Sequence, residues 1–233
     1  MTDRRAELAA NLAAVNDQLA QAAVSAGRRP DEITLIAVTK KWPASDVQLL
    51  AELGVRHVGE SRDQEAEPKA AECAGLSLVW HFVGQLQTKK ANSVASYADV
   101  VESVDRVKLV DALERGAQQA GRQVRCLIQV SLDEPQTIGR GGVAPTQVGV
   151  LAEYIAASAH LQLGGVMGVA PLGGQPEPAF EQLAKSAELV RAIEPSATDI
   201  SAGMSHDFPQ AIACGATHVR LGTALLGQRP DVR

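Results

Sequence analysis

Short apolar runs alternate with amphipathic segments along most of the chain. The first amphipathic segment has apolar residues at helical spacing, and it predicts an N-terminal helix that ends near Gly27 and Pro30. These apolar residues are Leu8, Leu12, Val15 and Leu19. The apolar runs that follow are short enough to be buried strands of a parallel sheet. The predicted strands lie at 33–39, 56–59, 79–83, 100–104, 125–131, 163–169, 199–201 and 218–221.

Helical patterns separate the predicted strands. In the clearest of them, Asp105 is the predicted N-cap and Gly121 the predicted C-terminal glycine of a helix that begins near Val107. The other predicted helices lie at 44–53, 62–74, 86–95, 145–157, 178–193 and 206–213. Eight strands with intervening helices favour an α/β fold of the (β/α)8 TIM-barrel type over an open, doubly wound sheet. Since no linker or repeat interrupts the pattern, residues 1–233 are predicted to form a single barrel domain with an extra N-terminal helix.

Composition narrows the class of protein. Hydrophobic residues make up 45% of the chain but aromatic residues only 3%, so the core is expected to be aliphatic. The net charge is -5 and the basic residues are scattered, which argues against nucleic-acid binding. No apolar stretch is long enough to span a membrane. The three cysteines, Cys73, Cys126 and Cys214, lie far apart without a CxxC pair, which argues against a zinc site and against disulfides. Free cysteines are typical of a reducing, cytoplasmic setting.

The stretch LIAVTKKWP ends the first predicted strand with two lysines, Lys40 and Lys41. Functional sites of TIM barrels gather where the strands end, so one of these amines is a candidate for chemistry. Desolvation would lower the pKa of such a lysine and make it a nucleophile able to form a Schiff base with a phosphorylated aldehyde. The alternative is a lysine whose charged end stays in water. Strand alternation does not choose between the two lysines.

Two glycine-containing loops follow the seventh and eighth predicted strands. They are SAGMSHD, at 201–207, and VRLGTALLG, at 219–227, which includes Gly222 and Thr223. Glycine allows close approach of a ligand to the backbone, and free N–H groups at a helix start attract anions. In TIM barrels these two loops commonly bind phosphate, although each segment taken alone is also an ordinary tight turn or N-cap.

Other chemically interesting residues give weaker signals. Glu60 is either a general base or a carboxylate that caps a helix or pairs with a nearby basic residue. The segment GRGG, at 139–142, lacks the ending of a P-loop and is interpreted as a flexible loop that reaches a ligand through Arg140. The histidines show no metal-ligand spacing. They are His57, His81, His160, His206 and His218.

Six segments, taken in order, resemble the pyridoxal 5'-phosphate (PLP) homeostasis protein family. They are AVTKKWP, HVGES, WHFVGQLQTKK, GVMGVAP, SAGMSHD and VRLGTALLG. This family is similar to the N-terminal barrel domain of alanine racemase, a fold-type III PLP enzyme. The resemblance extends over about 33–227 and is most specific at 80–90, where six residues match the family pattern. They are His81, Phe82, Gly84, Leu86, Gln87 and Lys90.

The resemblance implies a PLP site with assigned residues. Lys40 would hold PLP as a Schiff base, and Lys41 would be a solvated neighbour. Phosphate would be held by Ser205, Gly222 and Thr223. Arg220 would lie near the pyridine nitrogen. The remaining implied cofactor-binding residues are Ser201, Met204, Met167 and His81.

The same resemblance implies a role in PLP homeostasis, as a buffer or delivery protein that is non-catalytic or only weakly catalytic. An arginine beside the ring nitrogen disfavours carbanion chemistry. The racemases also use a catalytic tyrosine from a second domain, which we expect to be absent, while Tyr97 and Tyr154 fall in or beside predicted helices away from the barrel mouth. The expected partners are PLP and PLP-dependent apoenzymes, and the expected state is a monomer. A minimal PLP-dependent amino-acid racemase and a class I aldolase-like enzyme are the alternatives.

Three positions depart from the family pattern. Ser61 replaces a common asparagine, Lys89 stands where asparagine is frequent, and Arg140 stands where lysine is frequent. None of them is the predicted Schiff-base lysine or belongs to the predicted phosphate loops. The departures therefore concern finer contacts around the cofactor.

Overall fold

The computed structural model describes residues 4–133, 141–171 and 173–228, in which eight parallel strands close into a barrel. Each strand pairs with its neighbour in the chain, and the first pairs with the last in parallel register. The strands are β1 (Thr34–Val38), β2 (His57–Glu60), β3 (Val79–Phe82), β4 (Val100–Val104), β5 (Val124–Gln129), β6 (Leu161–Met167), β7 (Asp199–Ser201) and β8 (His218–Leu221). The predicted α/β barrel is confirmed.

Helices surround the barrel and pack aliphatic side chains on it. They are α1 (Arg4–Ser25), α2 (Ala44–Glu52), α3 (Asp63–Glu72), α4 (Ala91–Tyr97), α5 (Val107–Ala120), α6 (Val148–Ala156), α7 (Glu177–Ile193), α8 (Phe208–Ala213) and α9 (Thr223–Leu226). The predicted N-terminal helix is α1, which lies outside the barrel: Val15 and Leu19 pack with Phe208, and Leu8 packs with Leu225. Within the described part of the chain, no helix is both long and apolar enough to cross a membrane.

Some predicted boundaries were wrong. The helix predicted at 86–95 begins only at Ala91, after a 3-10 turn at Thr88–Lys90, because the Leu86 carbonyl accepts a hydrogen bond from Arg106 Nη2 at 2.8 Å. The residue that caps α5 is Arg106, since the Asp105 carboxylate pairs with the Arg106 guanidinium. The predicted C-terminal glycine is confirmed, with Gly121 in the left-handed region at φ 62°.

The interior of the barrel is more polar than is usual for this fold, in which bulky aliphatic side chains normally fill the centre. Glu102 on β4 and Arg220 on β8 belong to strands on opposite sides of the barrel. Their side chains nevertheless approach to 3.7 Å between Arg220 Nη1 and Glu102 Oε2, so this contact crosses the interior. The barrel interior therefore contains two opposite charges, on Glu102 and Arg220, that stabilise each other.

Candidate functional site

A cavity of about 380 Å³ opens at the carboxyl ends of the strands. Its volume lies within the range of small-molecule sites, roughly 300 to 1,000 Å³. Aliphatic side chains of Val38, Val83 and Val169 form part of its wall. Six of the residues predicted to bind the cofactor also line it. They are Lys40, Met204, Ser205, Arg220, Gly222 and Thr223.

A tight turn after β1 distinguishes the two lysines. The Trp42 N–H donates to the Thr39 carbonyl at 3.0 Å, so Thr39–Trp42 form a β-turn with Lys40 and Lys41 at its centre. Lys41 has φ 66°, the left-handed value that a type II turn requires at its third position. Lys40 lines the cavity, whereas Lys41 is exposed and its N–H donates to Glu65 Oε2 at 3.0 Å. Because β1 ends at Val38, both lysines belong to the turn and not to the strand, so strand alternation does not assign them.

A buried ion pair holds the start of this turn. Thr39 Oγ1 donates to Glu60 Oε1 at 2.7 Å, and Lys69 Nζ donates to the Thr39 carbonyl at 2.9 Å. Lys69 Nζ also pairs with Glu60. Burial raises the pKa of Glu60, although Lys69 and Thr39 oppose that effect. Of the interpretations of Glu60, pairing with a nearby basic residue is therefore confirmed.

The loop after β7 bends sharply before α8. Gly203 has φ 91°, and a Cβ there would lie 2.7 Å from Phe208 Cα. Met204 N–H donates to Asp207 Oδ1 at 2.6 Å, and the Met204 carbonyl accepts from the Asp207 and Phe208 N–H groups. This geometry presents Ser205 at the cavity wall.

The loop after β8 supplies the second hydroxyl group. Gly222 immediately precedes α9, and its carbonyl accepts from the N–H groups of Leu225 and Leu226. Thr223 is the first residue of the helix and, like Gly222, lines the cavity. The first N–H groups of a helix have no acceptor within the helix. The two predicted phosphate loops thus meet at one cavity.

The guanidinium of Arg220 is held from two sides. Its Nη2 donates to the Gly168 carbonyl at 2.8 Å, and its Nη1 donates to Ser201 Oγ at 2.6 Å. Ser201 Oγ in turn donates to Glu102 Oε2 at 2.6 Å. Ser201 is fully buried beneath Arg220 and is not among the residues that line the cavity.

Sequence reasoning missed Glu102, which is completely buried. Burial alone would raise the pKa of this carboxyl, but hydrogen bonds from His81 and Ser201 and the charge of Arg220 outweigh burial and lower the pKa to about 2. A signal was available in the sequence, because Glu102 is the one charged residue of the predicted strand VVESV. A carboxylate at such a position requires partners.

His81 and Met167 lie in the barrel interior and are not among the residues that line the cavity. His81 Nδ1 is 2.7 Å from Glu102 Oε1 and its Nε2 is 2.9 Å from His57 Nδ1. Met167 packs in a small apolar cluster with Val100 and Leu127. Their predicted contact with a cofactor stays a prediction.

The remaining predicted features lie away from the cavity or outside the described residues. Tyr154 is on α6, where its hydroxyl donates to Asp111 Oδ1 at 2.8 Å, and Tyr97 ends α4. Ser61 is packed backbone to backbone with the loop after β3, since a Cβ on Gly84 would lie 2.2 Å from the Ser61 carbonyl oxygen. Lys89 lies in the 3-10 turn before α4. Of the GRGG segment, Gly139 and Arg140 lie outside the described residues.

Comparison with known families first defines the class of barrel. The family model for the alanine racemase N-terminal domain matches residues 10–230. The chain also superposes on alanine racemase from Corynebacterium glutamicum with a TM-score of 0.70 at 16% identity, covering 97% of this chain and 62% of that one. The chain is thus an alanine racemase-type barrel.

Relatives with higher sequence identity identify the family within this class of barrel. The chain is 45% identical to the pyridoxal phosphate homeostasis protein of Mycobacterium leprae, over 97% of this chain and 94% of that protein, and 33% identical to that of Escherichia coli K12, over 96% and 97%. It is similar to the solved structure of PipY from Synechococcus elongatus with PLP bound, with a TM-score of 0.81, 33% identity and coverage of 94% and 100%. The chain belongs to the pyridoxal phosphate homeostasis protein family, as its sequence segments predicted.

Proposed function

We propose that this protein binds PLP in the cavity at the barrel mouth and takes part in intracellular PLP homeostasis by buffering or delivering the cofactor. The observation that carries this proposal is that Lys40 and the two hydroxyl-bearing loops line one cavity together with Arg220. The relatives named for pyridoxal phosphate homeostasis, and PipY solved with PLP bound, support it.

The donor set fits a phosphorylated aromatic aldehyde. Ser205, Gly222 and Thr223 supply hydroxyl and backbone N–H groups suited to a phosphate. The apolar wall of valine side chains suits an aromatic ring. Lys40 would attack the aldehyde carbon through Nζ, and the aldehyde oxygen would leave as water, which gives a Schiff base.

Arg220 would affect the chemistry of the bound cofactor through the pyridine nitrogen. A guanidinium is always protonated and only donates hydrogen bonds, so beside the pyridine nitrogen it would leave that nitrogen unprotonated. An unprotonated ring is a weaker electron sink for the carbanion chemistry that PLP supplies in enzymes. Neither tyrosine of the chain lines the cavity, and the imidazole that does, His206, adjoins Ser205 on the proposed phosphate side. We therefore assign no catalytic residue and propose retention and transfer of PLP, with PLP-dependent apoenzymes as partners.

The proposal extends to the setting and state of the protein. All three cysteines are free thiols, which suits a reducing cytoplasm. We propose a single barrel domain that works as a monomer.

Borohydride trapping tests the proposal. The purified protein is mixed with PLP, its absorbance is recorded before and after borohydride, and the modified peptide is mapped by mass spectrometry. We expect a near-visible absorbance band that borohydride removes, with the label on Lys40. Lys40→Ala should lose the band, whereas the control Lys41→Ala, which removes the adjacent exposed lysine, should keep it. An unchanged band in Lys40→Ala would refute the assignment.

A racemase with the same site would behave differently. Two-base racemisation exchanges the α-hydrogen of an amino acid with solvent, whereas PLP storage does not. We expect no deuterium incorporation into a panel of amino acids that are incubated with the PLP-loaded protein in heavy water. Incorporation that Lys40→Ala abolishes would favour the racemase.

A further inference from the structure

A chain of polar side chains, buried except at its partly exposed first member, crosses the barrel beneath the proposed cofactor site, and the proposed function does not yet use it. Its members come from five strands, and each is in contact with the next. In order they are His57, His81, Glu102, Ser201 and Arg220. Glu102 is the only carboxylate in this chain, and it lies at the centre.

The chain has a defined direction of hydrogen bonding around Glu102. An ionised carboxylate only accepts hydrogen bonds, so Ser201 Oγ donates to Glu102 Oε2 and His81 Nδ1–H donates to Oε1. Ser201 has a single hydroxyl proton, which it uses on Glu102, so its oxygen is left to accept from Arg220 Nη1. Both oxygens of Glu102 are thereby engaged.

The consequence for Arg220 is geometric. One of its terminal nitrogens is committed to Ser201 and the other to the Gly168 carbonyl, and these two contacts fix the plane of the guanidinium. Arg220 is buried and also lines the cavity. The fixed plane of its guanidinium therefore determines which N–H groups face a bound ligand. The charge of Glu102 balances that of Arg220 across 3.7 Å.

We propose that Glu102, held by His81 and acting through Ser201, is a positioning residue that aims the Arg220 guanidinium at the ring nitrogen of the bound cofactor. This inference rests on the proposed function and adds to it a residue that makes no contact with the cavity. Glu102 therefore contributes specifically to recognition of the ring nitrogen, and not to recognition of the phosphate or the aldehyde.

The test compares the dissociation constants of PLP and of its 1-deaza analogue, in which C–H replaces the ring nitrogen. In wild-type protein, PLP should bind roughly tenfold more tightly than the analogue, as expected for one hydrogen bond from a charged donor. In Glu102→Gln, this ratio should fall close to one. The isosteric amide removes the charge that orients Ser201 and balances Arg220. A role limited to folding would weaken the binding of both ligands equally and leave the ratio unchanged.

Ser201→Ala provides a second variant in case Glu102→Gln does not fold. Without the hydroxyl bridge, Arg220 can move the short distance to a direct pair with Glu102, away from the cavity, and the ratio should again fall close to one. Asp199→Asn is the matched control, because Asp199 also lies on β7 and forms an ion pair with Arg125 at 2.6 Å. Its ratio should equal that of wild type.

The outcomes separate the two proposals. If wild-type protein binds neither compound, the proposed function is overturned and this inference with it. If wild-type protein binds PLP and borohydride labels Lys40, but the ratio is unchanged in folded Glu102→Gln and Ser201→Ala, the positioning role alone is overturned. A ratio that falls in both variants and not in Asp199→Asn supports it.

Discussion

The buried pair of Lys69 and Glu60 gives the sharpest prediction for stability. Lys69 is 6% exposed and Glu60 is 1% exposed, and together they hold Thr39, the first residue of the turn that carries Lys40. Lys69→Met keeps most of the length of the side chain but removes the charge and the donor to the Thr39 carbonyl. The variant leaves the Glu60 carboxylate buried with Thr39 Oγ1 as its remaining hydrogen-bond donor in the described parts of the chain.

The expected loss is large. Removing one partner of a buried ion pair lowers the free energy of unfolding by about 3–5 kcal/mol. Burial already raises the pKa of Glu60, so without Lys69 this carboxyl can take up a proton, which limits the loss to the lower end of the range, about 3 kcal/mol. Because the pKa is raised in the folded state, the deficit should shrink as the pH falls toward about 4, the range of the unfolded carboxyl.

Equilibrium urea unfolding, followed by tryptophan fluorescence, measures the loss. Arg5→Met is the control, because Arg5 also pairs with a carboxylate, Glu52, at 3.5 Å, but the two side chains are 53% and 60% exposed. Such partly solvated pairs contribute only about 0–1 kcal/mol. The double variant Glu60→Gln with Lys69→Met should recover most of the loss, since no buried charge is left unpaired.

The reasoning fails if Lys69→Met loses no more stability than Arg5→Met. It also fails if the double variant is as unstable as Lys69→Met alone. In that case the loss would come from packing around the lysine side chain and not from the unpaired carboxylate.

Two further predictions concern other buried features. Folding lowers the pKa of Glu102 from 4.5 to about 2, so above pH 4.5 its ionised carboxylate contributes about 3 kcal/mol to the free energy of unfolding. This contribution is lost as the pH falls from 4.5 to about 2. In Glu102→Gln, the free energy of unfolding, measured by circular dichroism, should therefore depend less on pH over this range. Gly203→Ala should destabilise by about 2–4 kcal/mol, because a Cβ at φ 91° also meets Phe208 Cα at 2.7 Å. Gly215→Ala, with φ 97° but its nearest neighbour at 3.9 Å, should lose only about 1–2 kcal/mol in the same urea titration, and equal losses would contradict the steric argument.

Local sequence patterns determined most of the fold. Buried strands of a parallel sheet read as short apolar runs, and all eight were placed within a few residues of their observed positions. The helix predicted at 86–95 failed because a distant residue, Arg106, takes the Leu86 carbonyl, a contact that no helical periodicity encodes. The predicted N-cap Asp105 failed because its carboxylate pairs with Arg106.

The sequence by itself determined the barrel, its N-terminal helix, the lysine pair at the end of the first strand and the two glycine loops that face it. Each of these follows from residues close together in the chain. Tertiary structure decided that Lys40 lines the cavity, because the facing wall comes from loops after β7 and β8, far away in the chain. It also decided that Glu102 balances Arg220, since these residues meet only when β4 and β8 face each other across a closed barrel.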